Sequence, residues 1–200
     1  MRYLALGDSY TIGESVAEAQ RWPVQLAQRL MAAGIPALDV TILAQTGWTT
    51  AELQDAIDKA DIKEQFDLVS LLIGVNNQYR GRDLDEYRQE FTELLAQAIA
   101  YAGDRPDRVL VLSIPDWGVT PFAGDRDRSE ISAEIDAFNS IIKEQTRQLS
   151  VCCIDVTPGS RLAETDPSLL AEDGLHPSGK MYTEWVNLIL PAASLMLAER

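Results

Sequence analysis

The chain contains one histidine, His176, and it stands three residues after an aspartate in the run Asp173-Gly174-Leu175-His176-Pro177. A carboxylate that near can hold one imidazole nitrogen, fixing the tautomer and stabilising the cation formed when the other nitrogen takes a proton. A serine hydroxyl is a weak nucleophile until such a base removes its proton. Ser9, in Gly7-Asp8-Ser9-Tyr10 directly after an apolar run, is the serine placed for that step. Attack on a carbonyl then loads negative charge onto oxygen, and hydrogen-bond donors must be aimed at it. The backbone N–H groups of Ser9 and Gly47 and the side-chain amide of Asn76 are the candidates. Each residue also has a plainer reading. Ser9 could cap a helix, Gly47 and Gly74 could be turn glycines, Asn76 could tie down its loop, and His176 could be a surface imidazole.

The case for chemistry rests on the elements that would bring these residues together. Short runs rich in Val, Ile and Leu, at Arg2 to Leu6, Asp39 to Leu43, Asp67 to Ile73, Arg108 to Ile114 and Val151 to Val156, read as strands. Amphipathic stretches from Trp22 to Ala33, Thr50 to Ala60, Leu84 to Ala102, Ser129 to Gln148 and Ser178 to Leu190 read as helices between and after them. Thr50 and Ser129 are the expected N-terminal caps of their helices, and Gly34 and Gly103 follow the ends of theirs. Leu84, Tyr87, Phe91, Leu94, Leu95 and Ala98 recur at intervals of three and four, which predicts one apolar stripe toward a sheet. The alternation implies an α/β protein, a three-layer α/β/α sandwich with a five-stranded parallel sheet, flavodoxin-like or Rossmann-like, in one domain over residues 1–200. In such sheets ligands bind beyond the carboxyl ends of the strands. Ser9, Gly47, Asn76 and the Asp173/His176 loop all fall on that edge.

Composition narrows the partners. With 31 acidic and 17 basic residues the net charge is −14, and a pI near 4.4 repels nucleic acid and anionic lipid surfaces. The longest uncharged apolar stretch, Val186 to Ala198, is 13 residues long and holds Pro191, too short for a membrane span. Tyr3-Leu4-Ala5-Leu6 behind Met1-Arg2 is too short for a signal-peptide core, which implies a cytoplasmic protein. Cys152 and Cys153 are adjacent, and bridging them would strain the intervening peptide, so reduced and buried thiols are expected. One histidine, no CxxC pair and no HExxH helix leave no zinc motif, so neither metal nor cofactor is expected. The oligomeric state leaves no mark on the sequence.

Gly7-Asp8-Ser9 near the start, Gly47 after the second strand, Gly74-Val75-Asn76-Asn77 after the third and Asp173 to Pro177 near the end together resemble the four sequence blocks of the SGNH hydrolases, also called GDSL esterases. The resemblance spans residues 7 to 177 in the family's order. It implies a flavodoxin-like fold and hydrolysis of esters or thioesters of small acyl or lysophospholipid-like type. It also implies Ser9 as nucleophile, His176 as base, Asp173 as its orienter, and Ser9, Gly47 and Asn76 as oxyanion donors. The third block commonly ends in an acidic residue where this chain has Asn77, so a cap or loop hydrogen bond should differ there. Around Gly47 an earlier Asn or Ser is usual, and here Gln45-Thr46 stands.

Tyr10, Gln78, Tyr79, Trp117 and Phe122 adjoin these blocks or follow the fourth strand, and are the candidate substrate-pocket residues. Two other readings of the function are open. One keeps the enzyme and changes the ester to an acetylated carbohydrate. The other is a non-catalytic flavodoxin-like module in which Ser9, Thr11 and Gly13 cradle a phosphate or flavin, though it leaves Asn76, Asp173 and His176 without a task. Gly13-Glu14-Ser15-Val16-Ala17 approximates a GxSxG elbow, but no strand runs into it and its last glycine is alanine. Ser140 to Lys143 fits SxxK without its companion motifs. Asp8 lacks the second aspartate of an aspartyl-phosphate enzyme and is expected to cap the turn at Ser9.

Overall fold

Three runs in the sequence are apolar at nearly every position, and only strands covered on both faces can bury such runs. They are β1 (Arg2–Gly7), β3 (Leu68–Leu72) and β4 (Val109–Leu112), in which every residue but Arg2 is buried. The two remaining strands, β2 (Asp39–Ala44) and β5 (Cys152–Ile154), are half-buried edges. All five run parallel in the order β2-β1-β3-β4-β5, in a computed structural model that describes residues 1–198. The expected α/β architecture and all five strands are present, each trimmed or extended by one to three residues.

The helices are α1 (Ser9–Ile12), α2 (Trp22–Ala32), α3 (Thr50–Ala60), α4 (Val75–Tyr79), α5 (Leu84–Tyr101), α6 (Arg128–Gln148), α7 (Thr157–Ser160) and α8 (Gly179–Ala198). α2 and α8 pack together on one face of the sheet, while α3, α5 and α6 adjoin one another on the other. The apolar stripe of α5 is buried from Tyr87 to Ala98, but Leu84, at the first turn, is 39% exposed. No helix among the described residues is long and apolar enough to cross a membrane.

Several local expectations need correction. Thr49, not Thr50, caps α3: its hydroxyl accepts from Glu52 N–H while the Glu52 carboxylate accepts from Thr49 N–H, a reciprocal box that needs three residues of separation. Asp127, not Ser129, caps α6, accepting from the N–H groups of Ser129 and Glu130. α8 continues through Pro191 to Ala198. Proline deletes one N–H there, but its acceptor would be the carbonyl of Asn187, an exposed residue that water can serve, while Ile189, Ala193 and Leu197 remain buried along the helix. Cys152 and Cys153 are free thiols but only half-buried, because β5 is an edge.

The strand order has one reversal. The chain lays β2 on one side of β1 and then crosses to place β3 on the other, so the loops after β1 and β3 diverge and leave a crevice. In register, Gly7 at the end of β1 pairs with Ala44 of β2 and Leu72 of β3, so the three strands end level. Ser9, Gly47 and Asn76 follow those three ends.

Candidate active site

Ser9 begins α1 two residues after β1 ends, and its position is set by the aspartate before it. Asp8 Oδ1 accepts the Tyr10 N–H at 3.0 Å, which folds the chain sharply out of the strand. Ser9 is 5% exposed, and its hydroxyl has no hydrogen-bond partner among the described residues. Asp8 is itself buried, with Oδ2 unpartnered among the described residues, and this burial pushes its carboxyl up to about 7 despite the Tyr10 bond.

That displacement has a consequence for stability. Between the ordinary value of 3.8 and about 7, the folded protein holds a proton that the unfolded chain has released. Stability from this group is therefore full at low pH and is lost as pH rises through 7. Asp8→Asn removes the titration, so the variant gains about 3 kcal/mol on the parent between pH 5 and pH 8 in denaturant melts. A difference that stays constant across that window would show that Asp8 does not titrate there.

The loop after β2 carries Gly47 at φ 88, a left-handed conformation that a side chain would strain. Its carbonyl accepts from Arg80 Nη2 at 2.6 Å, while Arg80 Nη1 also pairs with Glu52, so the carbonyl side of this turn is held from α4 and α3. Next to it, Thr46 donates its hydroxyl to Glu14. After β3, Gly74 adopts φ 132, and a Cβ there would stand 2.6 Å from the Tyr87 hydroxyl. Only glycine lets the chain turn so tightly into α4. Asn76 on that helix is half-buried and donates Nδ2 to the Trp48 carbonyl at 2.9 Å, which fixes the amide's orientation. Asn77 points away: Oδ1 accepts from Thr50 N–H at 3.1 Å and Nδ2 donates to Thr50 Oγ1 at 2.6 Å. The replaced acidic position is thus a buried brace on the start of α3.

His176 and Asp173 share a tight loop before α8. Asp173 Oδ1 accepts the N–H groups of Leu175 and His176, both at 2.9 Å, and Oδ2 lies 2.6 Å from His176 Nδ1. Burial alone would raise this carboxyl, but hydrogen bonds from the His176 ring, Leu175 N–H and the Ser15 hydroxyl hold it well below the usual carboxylate range. The imidazole is 8% exposed and stands edge-on to Tyr10, with ring centroids 5.6 Å apart.

Ser9, Gly47, Asn76 and His176 line one cleft of about 170 Å³. Of the expected pocket residues, Tyr10, Tyr79, Trp117 and Phe122 line it as well. Gln78 does not: it is buried behind the wall, accepting from Trp117 Nε1 at 2.8 Å and donating to Glu134 at 2.6 Å. Its position on α4 turns it inward, one residue from the exposed Tyr79. Thr46, Val75 and Leu175 also line the cleft and were not expected from the sequence, although each adjoins a residue that was. At the rim, the Arg126 guanidinium lies 4.9 Å from the Tyr79 ring centre and 5.2 Å from that of Trp117. A larger groove of about 690 Å³ between α7 and α8 contains none of these residues. No group of three or more His, Cys, Asp or Glu side chains that could hold a metal occurs among the described residues.

A buried serine delivered by the first strand to the reversal of a parallel sheet, in one cleft with an imidazole–carboxylate pair, is an arrangement suited to acyl transfer. The sequence model of the GDSL-like lipase/acylhydrolase family matches residues 5–183, and the chain belongs to that family of ester-cleaving hydrolases. Solved structures share the fold. TesA superposes with a TM-score of 0.73 at 22% identity, over 98% of this chain and 100% of that one. A lipase/acylhydrolase from Enterococcus faecalis gives 0.76 at 19% identity, over 98% and 96%. The W215I form of Axe2, an acetyl xylan esterase from Geobacillus stearothermophilus, gives 0.73 at 18% identity, over 96% and 94%. A search of the curated proteins found no match to the sequence.

Proposed function

We propose that this protein hydrolyses esters of short acyl chains through a Ser9 acyl-enzyme, with His176 as general base and acid and Asp173 as its orienting carboxylate. The observation that carries the reading is the 2.6 Å contact between His176 Nδ1 and Asp173 Oδ2 in a cleft that Ser9 also lines. That bond commits Nδ1 to the carboxylate and leaves Nε2 to take the Ser9 proton, then return it to the departing alcohol. Hydrolysis repeats the sequence with water in place of Ser9. The Ser9 and Gly47 N–H groups have no acceptor among the described residues, and Asn76 Nδ2 keeps a second hydrogen beyond the one given to Trp48. These three donors would receive the oxyanion.

Chain length follows from the cleft. Pockets for drug-sized ligands run from about 300 Å³ upward, and this one offers about 170 Å³. A short acyl group fits and a long one must lie outside. Across p-nitrophenyl esters from two to twelve carbons, kcat/KM is expected to be highest at two to four and to fall steadily beyond; a maximum at ten or twelve would overturn the assignment. An acetylated carbohydrate is the second reading, favoured by the exposed rings of Tyr79 and Phe122 at the rim, on which a sugar leaving group could stack. Release of acetate from acetylated xylo-oligosaccharides faster than from p-nitrophenyl acetate would select it. A phosphate or flavin module is disfavoured, because α1 has only four residues and a helix so short has little dipole to hold an anion.

A further inference from the structure

Ser15 lies in the turn after α1, 158 residues away from Asp173 in sequence, and takes no part in the chemistry assigned above. It adopts φ 63, a left-handed conformation that is strained for a serine and free for glycine. Its hydroxyl donates to Asp173 Oδ2 at 2.7 Å. The residue before it, Glu14, accepts from Thr46, which lies beside Gly47 in the same cleft. Two consecutive side chains on a strained turn therefore hold the loop that carries the acid–base pair and the loop that carries an oxyanion donor.

We propose that Ser15 is a positioning residue of the catalytic relay, setting both the direction and the charge of the Asp173 carboxylate toward His176. This rests on the assignment of Ser9, His176 and Asp173 above. An ionised carboxylate has about four lone-pair sites, and here all four are taken: two by backbone N–H groups on Oδ1, one by His176 and one by Ser15 on Oδ2. With both oxygens tied, the carboxyl cannot rotate away from the imidazole. The hydroxyl also draws charge from the oxygen that faces the ring, so the imidazolium gains less from Asp173 than it would from an oxygen without a second donor. Removing the hydroxyl leaves more charge on Oδ2, the ring holds its proton to higher pH, and less base is free at a given acidic pH. The other ionisable groups around the pair are Asp8 and Tyr10 at the start of α1, Glu14 beside Ser15, Asp116 after β4 and Tyr182 on α8.

The test compares Ser15→Ala and Ser15→Gly in the whole enzyme, with Ser9→Ala alongside. Both Ser15 variants lose the hydroxyl, but glycine adopts the left-handed turn freely, so Ser15→Gly melts no lower than the parent. If the hydroxyl acts through Asp173, both variants lower kcat by about 3- to 10-fold with KM nearly constant, and in both the acid limb of kcat/KM moves up by about half a pH unit. A Ser15→Gly enzyme with parental kcat and an unmoved limb overturns the proposal and makes Ser15 a turn residue only. Full activity in Ser9→Ala overturns the catalytic assignment itself and this inference with it, whereas an inactive Ser9→Ala beside an unaffected Ser15→Gly refutes the Ser15 role alone.

Discussion

Ser9→Ala is expected to abolish ester hydrolysis, lowering kcat by on the order of 10⁴- to 10⁶-fold, while the protein unfolds within a few degrees of the parent. Stability is spared because the Ser9 hydroxyl has no hydrogen-bond partner among the described residues, so its loss leaves no buried group unpaired. A fluorophosphonate probe should add once to the parent, at Ser9, and not at all to the variant. Adduct formation at Ser15 or any other hydroxyl would refute the nucleophile. His176→Ala should be nearly as inactive, since the chain has no second histidine to substitute. In the parent, kcat/KM should fall along one limb on acidification, because the base must be neutral to accept a proton. Asp8, whose carboxyl burial pushes up to about 7, also gains a proton on acidification. The control is Asp8→Asn, which keeps the limb if the imidazole sets it and loses it if the buried carboxyl does.

The second large effect separates two neighbouring asparagines. On the proposed assignment, Asn76→Ala removes a donor to the developing oxyanion that counts for less with the neutral carbonyl, so kcat should fall about 10²- to 10³-fold with little change in KM. Its remaining bond, to the Trp48 carbonyl, is partly buried and contributes about 1 kcal/mol, so the fold should persist and Ser9 should still accept the fluorophosphonate slowly. Asn77→Ala is the reverse case. It strands the buried Thr50 N–H, while the Thr50 hydroxyl keeps its bond to Glu90, at a cost of about 1 to 3 kcal/mol in stability, and kcat stays within a few-fold. Equal losses of kcat in the two variants would show that Asn76 only supports its loop and that the oxyanion rests on the backbone donors.

Hydrophobic patterning alone predicts the five strands, the long helices between them and the edge on which the site lies. It does so because a parallel strand packed under helices is rich in apolar residues, most of all where both faces are covered, and a helix on it must carry one apolar stripe, and both demands are written into consecutive residues. The pairing of Asp173 with His176 is legible for the same reason: three residues in one turn are enough to bring the side chains together, whatever the rest of the chain does. Gln78 is where adjacency in sequence misleads. Its neighbour Tyr79 lines the cleft, but one step around α4 turns Gln78 inward to brace Trp117. The reach of Ser15 to Asp173, the near-neutral titration of Asp8 and the continuation of α8 past Pro191 have no signature in the sequence either. Each depends on what packing places within a few ångströms, or withholds from water, across segments distant in the chain, and no local period of residues records that.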